Sequence, residues 1–219
     1  MSQPWRFPTD ERSLQLSQIG LRLVDDLSGG DPIGQIACTL FAEDMPGQWR
    51  KTDVTAVRSA SGFLAFPGLG RVRDVATQPV RHYRAVLAAQ YYRPYYLSKT
   101  AGIEFDIVPY NDANPPAVPS SLRDVPLVPA ANYPFQTHLR VLRGQVRNLA
   151  GPVANAEVSR SVTERVLSDE QGFYALPLRF TPDGVAVPID ATNHITGEQG
   201  QISITLPADL GQNKVITIA

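Results

Sequence analysis

Two stretches, 139-LRVLRGQVRNLAGPVANAEVSRS-161 and 167-LSDEQGFYALPL-178, decide the fold. In the first, short alternating apolar runs flank Gly151-Pro152, which spells strand, turn, strand. In the second, Ser168-Asp169 supplies a short side-chain acceptor able to cap turn amides, and Gly172 follows where the backbone must take a conformation disfavoured by a Cβ. Asp169 and Glu170 therefore read as shapers of a turn, ahead of a calcium or catalytic role. Strand geometry then sets Tyr174, Leu176 and Leu178 on one face and leaves Phe173 near the end of the layer.

The same grammar runs along the whole chain. Nineteen prolines and sixteen glycines punctuate apolar runs of four to ten residues, and no amphipathic helix of three turns is found, which predicts an all-β protein. An internal echo divides the runs in two. The first half reads 21-LRLVDDLSGGDPIGQIACTL-40 and then 59-SASGFLAF-66; the second reads 142-LRGQVRNLAGPVANAEVSRS-161 and then SDEQGFYALPL. A strand, a Gly-Pro turn, a second strand and a later Gly-Phe opening recur in order. The first copy is longer, with the loop EDMPGQWRKTD as the expected insertion. Between the copies, residues 109–137 hold seven prolines and no glycine. Proline fixes φ and lacks a donor, so this segment is expected as an extended strap that stays out of sheet interiors.

The motifs of the second copy, Gly144-Gln145-Val146, Gly151-Pro152, Asn155-Ala156-Glu157-Val158 and Ser168-Asp169-Glu170-Gln171-Gly172-Phe173-Tyr174, resemble the carboxypeptidase regulatory-like domain, a transthyretin-like β-sandwich. The resemblance covers 139–219; the first copy, about 14–108, is similar more loosely, its corner Ala60-Ser61-Gly62-Phe63 lacking the aspartate. It implies two transthyretin-like or Ig-like sandwiches, at 14–108 and 138–219, with an N-terminal arm over 1–13 and the strap between. It implies no metal, and no hydrolase activity follows, because in such proteins the zinc ligands belong to a separate catalytic domain.

Twenty basic against twenty-one acidic residues give a net charge of −1, so no global field favours nucleic acid or an acidic membrane surface. Seventeen of the twenty cations are arginine, which suits fixed bidentate contacts at protein interfaces. The single cysteine, Cys38, in IGQIACTLF, excludes an intramolecular disulfide and reads as a small buried hydrophobe. The N-terminus shows no apolar signal region and no run reaches eighteen apolar residues, so a cytoplasmic chain without a membrane span is expected. Asp25, Asp26, Asp31 and Asp112 lack the alternating oxygen spacing of a calcium loop. His82, His138 and His194 lie far apart, with no G-x-S-x-G or H-E-x-x-H.

The tyrosine-rich run 81-RHYRAVLAAQYYRPYYL-97 would suit base stacking, but reads first as a strand with an aromatic end. Trp49, Tyr91, Tyr92, Tyr95 and Tyr96 would suit a carbohydrate platform if coplanar and exposed. The leading expectation is a non-catalytic adaptor or structural subunit, without cofactor, that binds protein subunits of a larger assembly, self-association included. Candidate interface residues are Pro115, Pro116, Leu127, Tyr133 and Phe135 on the strap, with Phe135 and Tyr133 against the second sandwich, together with Tyr95 and Tyr96. A pair of such domains without a signal peptide is similar in architecture to accessory proteins of phage-tail-like contractile injection systems, which implies a place in such a particle. A carbohydrate-binding module is the alternative.

Overall fold

The computed structural model describes residues 16–58, 62–116 and 121–219. The arm at 1–13, Ala60 and Ser61 of the first corner, and residues 117–120 of the proline-rich segment lie outside the described residues. Among these residues the chain is all-β. The first half contributes β1 (Ile19–Asp25), β2 (Ile36–Met45), β3 (Gln48–Lys51), β4 (Val57–Arg58), β5 (Phe63–Ala65), β6 (Arg81–Ala89), β7 (Tyr92–Pro94), a 3-10 turn (Tyr95–Ser98), β8 (Ile103–Ile107) and β9 (Ser121–Pro129). The second contributes β10 (Val141–Asn148), β11 (Gly151–Pro152), β12 (Glu157–Ser161), β13 (Glu164–Leu167), β14 (Phe173–Pro177), β15 (Ala186–Thr192), β16 (Gln199–Thr205) and β17 (Lys214–Thr217).

Alternation drives the layering. In β6, Tyr83, Ala85 and Leu87 are buried while His82, Arg84 and Val86 take the other phase; β15 buries Val187, Ile189 and Ala191 by the same period of two. In the first half, sheet β4-β5-β1-β9-β7 supplies Leu21, Leu23 and Leu127 to a core completed by Leu40, Tyr83 and Phe105 of sheet β3-β2-β6-β8. In the second, sheet β11-β10-β14, with β17 added on β10, brings Leu142, Tyr174 and Ile216 against Val158, Ile189 and Ile204 of sheet β13-β12-β15-β16. Each such fully buried aliphatic side chain contributes roughly 1.5–3 kcal/mol.

The two halves share one topology. β1 and β10 each pair antiparallel with the strand that opens on Gly-Phe, through Arg22↔Phe63 and Gln145↔Phe173, and parallel with the last strand of their half, β9 or β17. The hairpins β2–β3 and β12–β13 both carry a register shift, at Glu43/Met45 and at Ser159/Ser161. Gly62 and Gly172 both sit at positive φ, 81° and 78°. The sequence echo is therefore a structural repeat. What the first half adds is β4 and, between β6 and β8, the excursion of β7 and the 3-10 turn; residues 193–198 make the equivalent connection by a tight turn.

Two expectations are corrected by the strand pairing. The proline-rich segment 109–137 is not a strap outside the sheets, and the first layer pair does not close at 108: Ser121–Pro129 is β9, aligned in parallel with β1 from Ile19↔Ser121 to Asp25↔Leu127. Proline is tolerated for a local reason. Leu127 directs its carbonyl to the Asp26 N–H (3.0 Å), so Pro126 aims its missing donor the other way, where β7 has ended at Pro94 opposite Leu127. The supposed insertion loop EDMPGQWRKTD is also ordered, as the tip and returning strand of the β2–β3 hairpin.

Candidate functional site

The excursion between β6 and β8 builds a seam between the two halves. Arg93 of β7 donates through Nη2 to Asn155 Oδ1 (2.5 Å) and through Nη1 to Glu170 Oε1 (2.9 Å). Tyr95 donates its hydroxyl to Glu157 Oε2 (2.8 Å), an oxygen that also meets His194 Nε2 at 2.7 Å. From the other side, Arg165 clasps Asp26 with two bonds of 3.1 Å and lies 3.9 Å over the Tyr95 ring, while Arg179 Nη1 reaches Leu27 O at 2.6 Å. Arginine suits these places because its planar fork binds a carboxylate and stacks on a ring at once. The hydrogen bond from Arg93 holds Glu170 below the usual carboxylate range.

The turn behind Glu170 is made by its neighbour. Asp169 Oδ1 accepts from the N–H groups of Gln171 (2.9 Å) and Phe173 (2.8 Å), and Gly172 N donates to Asp169 O (3.0 Å). A Cβ on Gly172 would stand 2.5 Å from Val146 O. Gly151 and Pro152 form β11 and pair back onto Asn148 and Arg147. Asp169 thus shapes the corner and Glu170 serves the seam.

The candidate interface residues separate. Leu127, expected to face a partner, is fully buried in the first core, because β9 is a core strand. Tyr133 packs against that same first core, not the second: its ring meets Tyr92 edge-on at 5.3 Å and its hydroxyl donates to Asp25 Oδ2 (3.3 Å). Phe135 is half-buried against Tyr133, with ring centroids 4.8 Å apart. Tyr95 belongs to the seam, and Tyr96 fixes the 3-10 turn by accepting the Leu87 N–H at 2.8 Å. Pro115 is exposed and Pro116 half-buried, just after the Asn111–Asn114 bridge. With Tyr92 buried, Tyr95 under Arg165 and Tyr91 packed against the core, the five aromatic residues suggested for a glycan do not form a coplanar platform.

A second cluster faces outward from sheet β3-β2-β6-β8. Cross-strand register sets His82 opposite Asp106 and Arg84 opposite Glu104. His82 Nδ1 lies 2.6 Å from Asp106 Oδ1 and Nε2 lies 3.4 Å from Glu104 Oε2; the bond to Asp106 raises the imidazole pKa above its ordinary value. Arg84 donates to Glu104 Oε1 from Nε (3.0 Å) and Nη2 (2.6 Å), which lowers the Glu104 pKa. The same guanidinium lies 4.0 Å over the Trp49 ring, and that ring is 5.4 Å from His82. Chain alternation made the phase of 82, 84, 104 and 106 readable, but only the pairing of β3, β6 and β8 unites them with Trp49.

Of the other residues weighed for chemistry, Asp31 and His138 are exposed, whereas Asp25 and Asp112 are engaged. Asp25 is buried and accepts from Leu27 N (2.9 Å), Ser28 Oγ (2.8 Å), Tyr92 OH and Tyr133 OH; Asp112 accepts from Arg71 (2.6 Å). Among the described residues no group of His, Cys, Asp and Glu is arranged to hold a metal ion. Burial pushes the Cys38 thiol up to about 11, away from the thiolate that reactivity requires. No helix among the described residues is long and apolar enough to cross a membrane. The chain matches no family model, no curated protein and no solved structure.

Proposed function

We propose that this chain is a non-catalytic adaptor or structural subunit, a tandem of two transthyretin-like sandwiches that binds other protein subunits in a larger assembly. The observation that carries this reading is the outward cluster of Trp49, His82 and Arg84, each held in place by a ring contact or a carboxylate. Trp and Arg dominate the energetics of protein interfaces, and side chains already fixed lose little freedom on docking. Because Glu104 and Asp106 neutralise the cations, the face suits a polar protein surface better than a polyphosphate. The seam supports the reading from another side, since a spacer between subunits needs its two halves held in a fixed relation.

A phage-tail-like contractile injection particle is the assembly that the architecture suggests, with this chain as an accessory component. The test is affinity purification from the native source with the intact protein and with the Trp49→Ala/Arg84→Ala variant. The intact protein is expected to bring down defined stoichiometric partners, and the variant, folded by near-UV circular dichroism, to lose them. Recovery of the intact protein as a free monomer alone would overturn the proposal.

A further inference from the structure

At one end of the first half, the chain builds a small cavity with a cationic mouth. Residues 68–73 fold across the continuation of β8, where Tyr110 N donates to Gly70 O (2.9 Å) and Val72 N to Tyr110 O (2.8 Å). Gly70 permits this approach: at φ +85° a Cβ would stand 2.5 Å from Ile107 Cγ2. Beneath the loop is a cavity of about 110 Å³, with Tyr83, Ile107 and Pro109 as an apolar floor and Arg71, Gln78 and Arg81 around the opening. Arg71 spends one arm on Asp112, Nη2 to Oδ2 at 2.6 Å, which orients the guanidinium and leaves further donors. Arg81, the first residue of β6, has one side-chain partner among the described residues, Gln78 at 3.4 Å. The adjoining cleft adds Arg73, so the two hollows together present three arginines against one aspartate.

The geometry points to a binding site for a single small oxyanion, a carboxylate or phosphate head group, gripped by Arg81 and Arg71 with Gln78 beside them. Two guanidinium groups carry only donors, and the Gln78 carboxamide, whose Oε1 accepts from Arg81 Nη2 at 3.4 Å, adds its NH2, an arrangement that recognises an oxyanion. The volume of about 110 Å³ is of the size of a small head group. The apolar floor under Tyr83, Ile107 and Pro109 favours a carboxylate attached to a short aliphatic group, such as the end of a peptide chain. The mouth is solvated, so binding weakens as salt is raised. Arg81 neighbours His82 of the outward cluster along β6, but the site does not depend on the adaptor reading.

The test is an amide-resonance titration of the full chain in low salt with three probes: N-acetyl-leucine, its amide, and inorganic phosphate. Saturable shifts centred on residues 70–72, 78 and 81–83 are expected with the acid, none with the amide, and a weakening of about tenfold or more in Arg81→Gln. That variant removes only the Gln78 side-chain contact, so its spectrum is expected to show an intact fold. Tighter binding of N-acetyl-leucine than of phosphate assigns the site to a chain-terminal carboxylate; the reverse order assigns it to a free anion. Absence of saturation with both anions, or an Arg81→Gln affinity equal to that of the parent, overturns the inference.

Discussion

Gly172 stands at φ +78° with the Val146 carbonyl where a side chain would begin. Valine there combines a disfavoured backbone with a collision against main chain that cannot step aside, and Gly172→Val is expected to cost about 2 kcal/mol or more. Denaturant unfolding measures this, and an unchanged midpoint would show that the corner tolerates a Cβ. His82 gives a second residue-scale expectation. Its raised pKa, due first to the Asp106 hydrogen bond, means the contact contributes fully below about 6.5 and is lost as pH rises through the folded-state value. The imidazole resonance of His82 should therefore titrate above that of an unstructured peptide, and Asp106→Asn should bring it down. Equal midpoints in the two proteins would show that Asp106 does not hold the charge.

At the scale of elements, alternation made β1, β6, β10 and β15 legible, because each shows its core face at every second residue. The glycine corner at 172 was legible for a similar local reason. β9 was hidden by its own prolines: a rule that bars proline from sheet interiors holds only where both neighbours need the donor, and neighbour identity is tertiary information. β13 was too short to announce itself, and β3 read as a loop because Trp49 faces outward from a surface hairpin. The outward cluster spans residues 49 to 106 and exists only through register. Tyr133 and Phe135 lie just after β9, half-buried against the first core. The Tyr133→Ala/Phe135→Ala variant is accordingly expected to lose about 2 kcal/mol and to melt earlier as an isolated protein. Limited proteolysis that cut 130–137 as fast in the parent as in the variant would argue that this packing is absent in solution.

Across the whole molecule, the seam concentrates its connections on Arg93, Arg165 and Arg179, in contrast to the apolar cores on either side. Halves joined through polar contacts drift apart unless the contacts are well formed, and among the described residues the buried Arg93 Nε has no partner. Arg93→Ala with Arg165→Ala is expected to leave each half folded yet broaden their relative orientation, seen as an increased radius of gyration in small-angle scattering. An identical scattering curve would place the rigidity elsewhere. The parallel pairs carry a mechanical consequence. In each half the opening strand lies beside the closing one and points the same way, β1 with β9 over seven registered pairs and β10 with β17 over four. Tension applied along the chain through such a half enters at opposite ends of its parallel pair. It then slides the two strands past each other, loading the backbone hydrogen bonds of the ladder simultaneously instead of peeling them one by one. Single-molecule stretching should yield two abrupt high-force ruptures, with the β1–β9 clamp the stronger, so that each half resists lengthening until its ladder fails at once.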